Sequence, residues 1–360
     1  MNKIKLAALV SAAVISSSAM SAEIYKTDTA SLSINGRVKA EVLNSYGYLN
    51  QTKKKNPDDH PGFIGSARLG VSGESKVNDF FSVFGNVMYD LSAEDNIKDD
   101  KRMEIRYAWV GARFGEYGSL LGGHMEPASF RAIKPIHVFG NWGKKGNGTA
   151  LDKYKKVASS ERQDGIIMWK ADDLDGFGYS ISYRFRDPDS NAQAGVAASV
   201  SYDTPIGLGF VGAYNYVKAI DEGKYNTGDR IEGNLGAYWG SHGKPGFYFA
   251  GVYDHTRLMS ADGFSDKSAD TKAFNGDGFD IVASYTTPGK LFTFDTGWGY
   301  FKNQWNNSKN DVVLNQWNAQ VRWNVNKQTY IQVEYVDNFA EGPHDTKHND
   351  WLSIGAFYNF

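Results

Sequence analysis

Charged side chains at alternate positions are the residues of this sequence that could do chemistry. Arg37, Lys39 and Glu41 occupy every second position of one segment, and apolar residues stand between them. In a β-strand successive side chains point to opposite faces, so the three charges share one face. Such a face must meet water or opposite charges, because an unpaired charge away from water is costly. The chemistry it favours is the attraction of ions and polar solutes.

The sequence contains no recognisable catalytic or metal-binding pattern. No Ser-His-Asp arrangement, glycine-rich phosphate-binding loop or cluster with metal-ligand spacing is present. The chain has 0 Cys, which excludes thiolate nucleophiles, thiolate metal ligands and disulfides. His344 and His348 lie in a polar segment without helical periodicity, which favours a surface pair over a zinc site. We therefore expect no cofactor and no metal, and an enzyme is the least favoured function.

Segments that alternate between apolar and polar residues recur along the whole chain. In the last ten residues, Leu352, Ile354, Tyr358 and Phe360 fall on one face. The segments predicted to be strands number sixteen and are 31–45, 63–74, 80–90, 104–114, 117–124, 159–170, 177–186, 194–202, 208–217, 230–239, 247–254, 279–287, 291–301, 312–323, 329–336 and 351–360. Short turns alternate with long polar loops between them. The sequence therefore predicts an all-β fold, a sixteen-stranded antiparallel transmembrane β-barrel with both termini on the periplasmic rim.

The composition agrees with a barrel wall. Charged residues make up 22% of the chain and the mean hydropathy is −0.47, as expected when only alternate residues face lipid. The 39 Gly, 21 Tyr, 21 Phe and 9 Trp suit a curved wall with aromatic girdles. The alternative is a large soluble β-sandwich or propeller, which would not need an aromatic terminal strand or so many outward aromatic residues.

Residues 1–21 have the layout of a secretory signal peptide. An apolar stretch of about ten residues follows Lys3 and Lys5 and is too short to span a bilayer. Small residues favour cleavage after Ser21, so that residues 22–360 form one barrel domain. Without Lys3 and Lys5 the chain has 37 basic and 41 acidic residues, a net charge of −4. This weak charge does not indicate a nucleic-acid partner.

The inside of a sixteen-stranded barrel with charged inward residues is expected to hold water. Such an interior is wide, and unpaired charges in a dry lumen would be prohibitively costly. The longest connector without alternation is 125–158, and a loop of this length usually has a function. It is either an exposed surface loop or a loop folded into the lumen that narrows the channel.

Short strings distributed along the chain resemble the trimeric general porins of Gram-negative outer membranes. Each is weakly specific alone, but they occur in the order and spacing of that family. The strings are Ala22-Glu-Ile-Tyr25, Gly36-Arg37, Ala67-Arg-Leu-Gly70, Gly73-Glu74, Arg106-Tyr-Ala-Trp-Val-Gly111, Phe114-Gly115, Tyr117-Gly-Ser119 and Tyr358-Asn-Phe360. The resemblance is best at the two ends and in the first six predicted strands. It implies three sixteen-stranded barrels per assembly, each with the third loop folded inside as a constriction.

The resemblance also assigns the basic half of that constriction. In the family, basic side chains on the barrel wall face carboxylates on the folded loop. The basic residues implied here, by inward alternation or by matching position, are Arg37, Lys39, Arg68, Arg106, His124 and Arg162. Four arginines on early strands are better explained as one cluster than as separate solvated charges.

The acidic half of the constriction departs from the family pattern. Val138 and Lys134 stand where family members carry loop carboxylates, and Glu126 is the one acid assigned to the constriction. The loop, counted through Arg162, carries eight Lys or Arg residues and three acids, a balance of +5. The constriction is therefore expected to be net positive, unless the lysines of 144–156 lie on the outer limb of the loop in bulk solvent.

The function predicted from these observations is an outer-membrane porin, an integral barrel through which small hydrophilic solutes and ions diffuse passively. A basic constriction implies weak cation selectivity or anion selectivity. The alternative is a substrate-specific channel for an oligosaccharide or an anion. In that channel the stacking surfaces would be Phe130, Phe139, Trp142 and Tyr154.

The expected partners follow from the same resemblance. They are two further copies of the chain, outer-membrane lipid and lipopolysaccharide, and the machinery that assembles outer-membrane barrels. The charged segment 94–101 would latch a neighbouring copy, and the terminal Phe360 would be the element that the assembly machinery reads.

Replacing Phe360 by Ala, or deleting it, is expected to lower the yield of folded barrel, because the resemblance makes this residue the assembly signal. The measurement is the amount of heat-modifiable protein in outer-membrane fractions. Phe360→Tyr, which keeps an aromatic end, serves as the control. A wild-type yield from both defective variants would contradict the assignment.

Overall fold

The computed structural model describes most of the chain between residues 21 and 360. The described ranges are 21–45, 62–93, 102–140, 162–186, 194–218, 229–259, 274–304, 310–339 and 350–360. No helix in these ranges is long and apolar enough to cross a membrane. The predicted signal segment up to residue 20 and the predicted latch 94–101 lie outside them.

The described residues form a single antiparallel sheet that closes on itself. Its strands are β1 Ser21–Lys26, β2 Ala30–Ser45, β3 Gly62–Lys76, β4 Phe81–Ser92, β5 Met103–Phe114, β6 Ser119–Met125, β7 Gln163–Leu174, β8 Phe177–Arg184, β9 Gly195–Asp203, β10 Leu208–Val217, β11 Arg230–Gly240, β12 Gly246–Met259, β13 Phe274–Thr286, β14 Phe292–Gln304, β15 Asn310–Asn324, β16 Thr329–Asn338 and β17 Trp351–Asn359. From β2 onward each strand pairs with the next, and β17 pairs with β2. This closure leaves β2 and β17 without the free edges of an open sheet.

All sixteen predicted strands are confirmed as β2 to β17. The largest differences are at β12 and β13, which extend to Met259 and Phe274 at the ends that meet a long loop. The sequence prediction missed β1. All six residues of β1 are exposed, so the strand lacks the alternation on which the prediction depends.

Strands β1 and β17 share one position in the barrel wall. Asn359 of β17 pairs with Arg37, and Ser21 of β1 pairs with Asn35 on the same edge of β2. Between these pairs, Gly36 N–H donates to the Phe360 carbonyl at 2.8 Å and Phe360 N–H donates to the Gly36 carbonyl at 3.0 Å. β1 therefore continues the line of β17, and seventeen strands fill sixteen wall positions.

Alternation along the strands separates an apolar outer face from a polar inner face. In β17, Leu352 and Ile354 are 40% and 51% exposed, whereas Ser353 between them is 1% exposed. Phe177, Ile181 and Tyr183 are likewise exposed on the outside of β8. The outward set is the one that alternation predicts for contact with lipid.

The turn between β7 and β8 shows how the short connectors close. Asp175 and Gly176 are its two residues, with φ of 53° and 83°. Positive φ at both positions matches the type I′ turn, whose twist suits a two-residue hairpin. Strand β7 continues to Leu174, beyond the predicted end at residue 170, which leaves only these two residues for the connector.

The third loop folds into the lumen. Beyond β6, the chain forms a short helix α1, Phe130–Ile133, followed by a 3₁₀ turn, Lys134–Ile136. Ile133 and Ile136 are fully buried in a cluster with Tyr248 and Val252, which lie on the inner face of β12. Burial of this apolar surface stabilises the loop against the wall and confirms the inward-folded third loop.

Glycines in the wall make room for two side chains of the loop. The Arg131 guanidinium lies over Gly178, where a Cβ would come within 2.6 Å of its NH1 atom. Arg131 also donates to Asp172 at 2.5 Å. Farther along the loop, the Phe139 ring lies over Gly297, where a Cβ would come within 2.8 Å. The loop is thus held at two separate places on the inner wall.

Gly36→Ala is expected to weaken the closure of the barrel. A Cβ at Gly36 would lie 2.5 Å from the Arg68 carbonyl oxygen and 2.5 Å from the Phe360 ring, and backbone cannot yield cheaply. The cost should be about 1–3 kcal/mol, as for other overpacked sites. It would be measured as a lower temperature for conversion of the folded band to the unfolded band in gels. Gly233→Ala, where a Cβ would meet nothing within 4 Å, is the control, and equal conversion temperatures would contradict the prediction.

Candidate functional site

The structure brings several predicted basic residues together on one stretch of the inner wall. We call the set the wall cluster; its members are Arg37, Lys39, Arg68, Arg106 and Arg162 with the carboxylates Glu41, Asp90 and Glu126. Arg37 and Arg68 occupy paired positions on β2 and β3. Arg68 Nε donates to Asp90 Oδ1 at 2.7 Å, and Arg106 NH1 donates to Asp90 Oδ2 at 2.7 Å. One carboxylate on β4 therefore holds two guanidinium groups from the strands on either side.

A β-bulge positions Arg106. Ile105 pairs with Tyr89 and Tyr107 pairs with Met88, so Arg106 is the extra residue of β5. A bulge shifts the alternation by one and redirects side chains. As a result, both Arg106 and Tyr107 contact inward groups, which strict alternation would not allow for neighbours.

Tyr107 connects the wall to the start of the third loop. Its hydroxyl donates to Glu126 Oε1 at 2.5 Å. Arg162, at the other end of the loop, lies 3.8 Å from the same oxygen. The guanidinium carbons of Arg106 and Arg162 lie 5.7 and 5.5 Å from the centroid of the Tyr107 ring. Glu126 is thus in the cluster where the sequence predicted it, and it is paired.

Lys39 and His124 also have acidic partners. Lys39 Nζ lies 2.6 Å from Glu41 Oε2, and Glu41 is almost fully buried. His124 Nδ1 lies 2.6 Å from Asp164 Oδ1. Arg37 lies against an aromatic group instead, with its guanidinium carbon 5.4 Å from the Phe357 ring centroid.

The loop supplies no carboxylate at positions 134 and 138, where the resemblance would place one. Val138 is buried in the apolar cluster of the loop and contributes no charge. Lys134 is exposed, and it lies near enough to Lys170 on β7 for the two positive charges to interact. Lys134 therefore adds to the basic side chains of this region.

The inward charges differ in their access to the lumen. The side chains of Arg68, Arg106 and Arg162 are 31%, 17% and 26% exposed. On the far wall, Glu232 of β11 and Asp254 of β12 face inward but are 0% exposed. The three arginines, together with Asp90 at 37%, are therefore more open to the lumen than these carboxylates.

Several predicted residues take other places or lie outside the described ranges. Phe139 is buried against the wall and offers no stacking surface, which contradicts its assignment as a lumenal stacking residue. Phe130 is half-buried. The residues outside the described ranges are Trp142, Tyr154, the lysines of 144–156, His344 and His348.

Sequence reasoning missed Asp90 and Tyr107. Asp90 lies at an inward position of β4 and could have been found by applying the alternation used for the first strand. Tyr107 could not, because the bulge that turns it inward leaves no signal in the apolar pattern.

A closed antiparallel barrel with an apolar outer face, charged lumen and infolded loop defines an outer-membrane channel. The family model described as Gram-negative porin matches residues 6–342, and the chain belongs to that family. This membership confirms the outer-membrane location and a channel rather than an enzyme.

Individual relatives agree with the family. Porin-like protein L of Photobacterium profundum is 26% identical over 290 residues, which cover 79% of this chain and 78% of that protein. The structure of OmpF of Salmonella typhi in complex with daunomycin matches with a TM-score of 0.80 and 19% identity, over 94% of this chain and all of that one. The trimer form of OmpT, an outer membrane protein of Vibrio cholerae, matches with a TM-score of 0.65 and 15% identity over 92% of this chain and 100% of that one.

Asp90→Asn is expected to increase the preference of the channel for anions, because it removes the negative charge shared by Arg68 and Arg106. The change should be about twofold in the ratio of chloride to potassium permeability. It would be read from the reversal potential in a potassium chloride gradient at low salt. Asp277→Asn, which neutralises a carboxylate on the outer face of β13, is the control, and equal shifts in both variants would contradict the prediction.

Proposed function

We propose that this porin passes small hydrophilic solutes and ions by passive diffusion and that its lumen prefers anions. The observation that carries the proposal is the difference in exposure between the arginines of the wall cluster and the buried carboxylates of the far wall. The wall cluster has five cations and three carboxylates, so its own balance is +2. The local charge that a permeating ion meets is therefore positive.

The local charge should outweigh the mild negative charge of the whole chain. Exposed charges farther apart than the Debye length, about 10 Å at 0.1 M salt, are largely screened from one another. An ion passing the wall cluster lies within that distance of the arginines, so their charge acts on it more strongly than charges farther away. Raising the salt concentration should therefore reduce the preference.

Replacing both Arg68 and Arg106 by Ala is expected to shift the reversal potential toward cations. The two residues supply the exposed positive charge of β3 and β5, and their loss leaves Asp90 unpaired. The shift should be about twofold or more in the permeability ratio and should shrink at high salt. Arg257→Ala, at the exposed outer end of β12, is the control. A reversal potential that the double replacement leaves unchanged would show that the two arginines do not act on permeating ions.

We further propose that signal cleavage leaves Ala22 as the first residue and that three copies of the mature chain assemble. Cleavage there is supported by the small residues that precede it. Assembly is supported by family membership, by the trimer form of the Vibrio cholerae protein and by the outer wall of β3 to β5. That wall has a shallow depression of about 440 Å³ lined by Val71, Gly73, Gly85, Val87 and Ala108 among others. Small residues there allow another barrel to approach closely.

Ala108→Trp is expected to convert trimers to folded monomers, because the indole fills the depression and holds a neighbour away. The readout is the mass of unheated protein in mild detergent, with heat modification to show that the barrel is folded. Ala283→Trp, on the outward face of β13, is the control. Unheated wild-type protein at monomer mass would overturn the trimer proposal.

A further inference from the structure

An apolar patch interrupts the polar lining of the lumen. We call it the lumenal apolar patch; its members are Phe84, Trp109, Leu121, Ile166 and Met168 on β4 to β7. Their sequence neighbours Val83, Val110, Leu120 and Ile167 are exposed on the lipid side, so the patch faces inward. Neither the diffusion of hydrophilic solutes nor contact with lipid requires apolar side chains at this place.

The patch presents two half-buried side chains rather than a closed core. Phe84, Leu121 and Ile166 are buried, at 7%, 4% and 1% exposure, and form its floor. Trp109 packs edge-to-face against Phe84, with the ring centroids 5.7 Å apart and the planes at 80°. Trp109 and Met168 remain half-buried. A flat indole and a flexible thioether at a wet wall are well suited to contact an aromatic ligand.

Two glycines allow close packing beneath the indole. In the paired register, Trp109 lies opposite Gly123, and Leu121 lies opposite Gly111. A Cβ at Gly123 would come within 2.2 Å of the Ala108 carbonyl oxygen, and its φ of 141° is one that side chains rarely adopt. The two glycines therefore let the strands and the buried floor of the patch pack closely, which leaves the indole and Met168 as its half-buried surface.

Cationic groups lie on both sides of the patch along the strands. On one side, Arg106 and Arg162 flank the Tyr107 ring. On the other side, the Arg113 guanidinium carbon lies 4.9 Å from the centroid of the Phe84 ring. Arg113 of β5 and Lys170 of β7 both pair with Ser119 of β6, so the two cations lie at the same level of the wall. These cations have acidic partners, Glu126, Glu74 and Asp172 among them, but their side chains are 17–26% exposed and can still donate.

We propose that the lumenal apolar patch and its flanking cations form a binding site for amphipathic anions, solutes with an aromatic body and a sulfonate, carboxylate or phosphate group. The aromatic body lies on Trp109 and Met168, and the anionic group meets Arg113 and Lys170 or the arginines next to Tyr107. Such a solute gains both apolar contact and charge pairing, whereas a small hydrophilic anion gains only the second. This site goes beyond the proposed passive diffusion, which requires no binding.

The test compares two sulfonates of the same charge in single-channel recordings of the wild-type protein. We expect 2-naphthalenesulfonate to reduce the current in a saturable, concentration-dependent manner. Methanesulfonate, which lacks the aromatic body, should permeate without saturable block at the same concentrations. Equal behaviour of the two anions would overturn the proposal, since it would show that charge alone decides the interaction.

Two variants test whether the blocking anion binds at the lumenal apolar patch. Trp109→Leu and Met168→Gln should each raise the half-blocking concentration of 2-naphthalenesulfonate, by about tenfold for Trp109→Leu, which loses the stacked ring. Trp298→Leu, on the outward face of β14, is the matched control and should leave the block unchanged. Heat modification shows whether each barrel has folded. Block that survives in both folded variants would overturn the site.

The binding site and the diffusion proposal are tested by different measurements, so one can fail without the other. Anion preference in potassium chloride is read from the reversal potential and depends on Arg68 and Arg106, which neither variant changes. A channel that keeps its anion preference but shows no block by 2-naphthalenesulfonate would overturn the binding site alone.

Discussion

Backbone hydrogen bonding in a medium without water is the constraint on which this structure depends. A peptide group that faces hydrocarbon has no solvent partner, so every strand must pair on both sides and the sheet must close. Here the closure falls on β2, which pairs with β17 along one part of its edge and with β1 along the rest. Gly36 lies at the junction, where the Phe360 ring and the Arg68 carbonyl leave no room for a Cβ. A single glycine thus allows two chain ends to complete one strand position.

Closure with sixteen wall positions makes an interior that side chains alone cannot fill, and the third loop uses that space. Its apolar residues Ile133 and Ile136 need an apolar partner, and Tyr248 and Val252 on the inner face of β12 supply one. The Gly140 N–H also donates to Gln320 Oε1 on β15 at 3.0 Å. The loop therefore lies against the far wall, and the arginine-bearing wall of β2 to β5 remains in contact with the lumen. The docking of the loop on one side of the lumen thus leaves the arginines on the other side uncovered.

The fold could be predicted from the sequence to a large extent, because period-two alternation is imposed by lipid on one side and water on the other. All sixteen alternating segments proved to be strands. β1 could not be found in this way, since all six of its residues are exposed and the strand shows no alternation. The site could be predicted only in part. Arg37, Arg68 and Arg106 followed from position, but their pairing with Asp90 depends on strand register, and the inward turn of Tyr107 depends on a bulge.

The charge that a solute meets in this lumen depends on pairing and burial more than on the number of charged residues. Counting over the third loop gives +5, and counting over the mature chain gives −4, yet neither number describes the lumen. Glu126 and Asp90 reduce the positive charge of the wall cluster locally, while Glu232 and Asp254 are fully buried and make no direct contact with the lumen. Burial also decides which apolar side chains a solute can contact. Val138 is buried in the docked loop, whereas Trp109 is only half-buried at the lumen. The proposed preference for anions therefore rests on which inward side chains are exposed to the lumen.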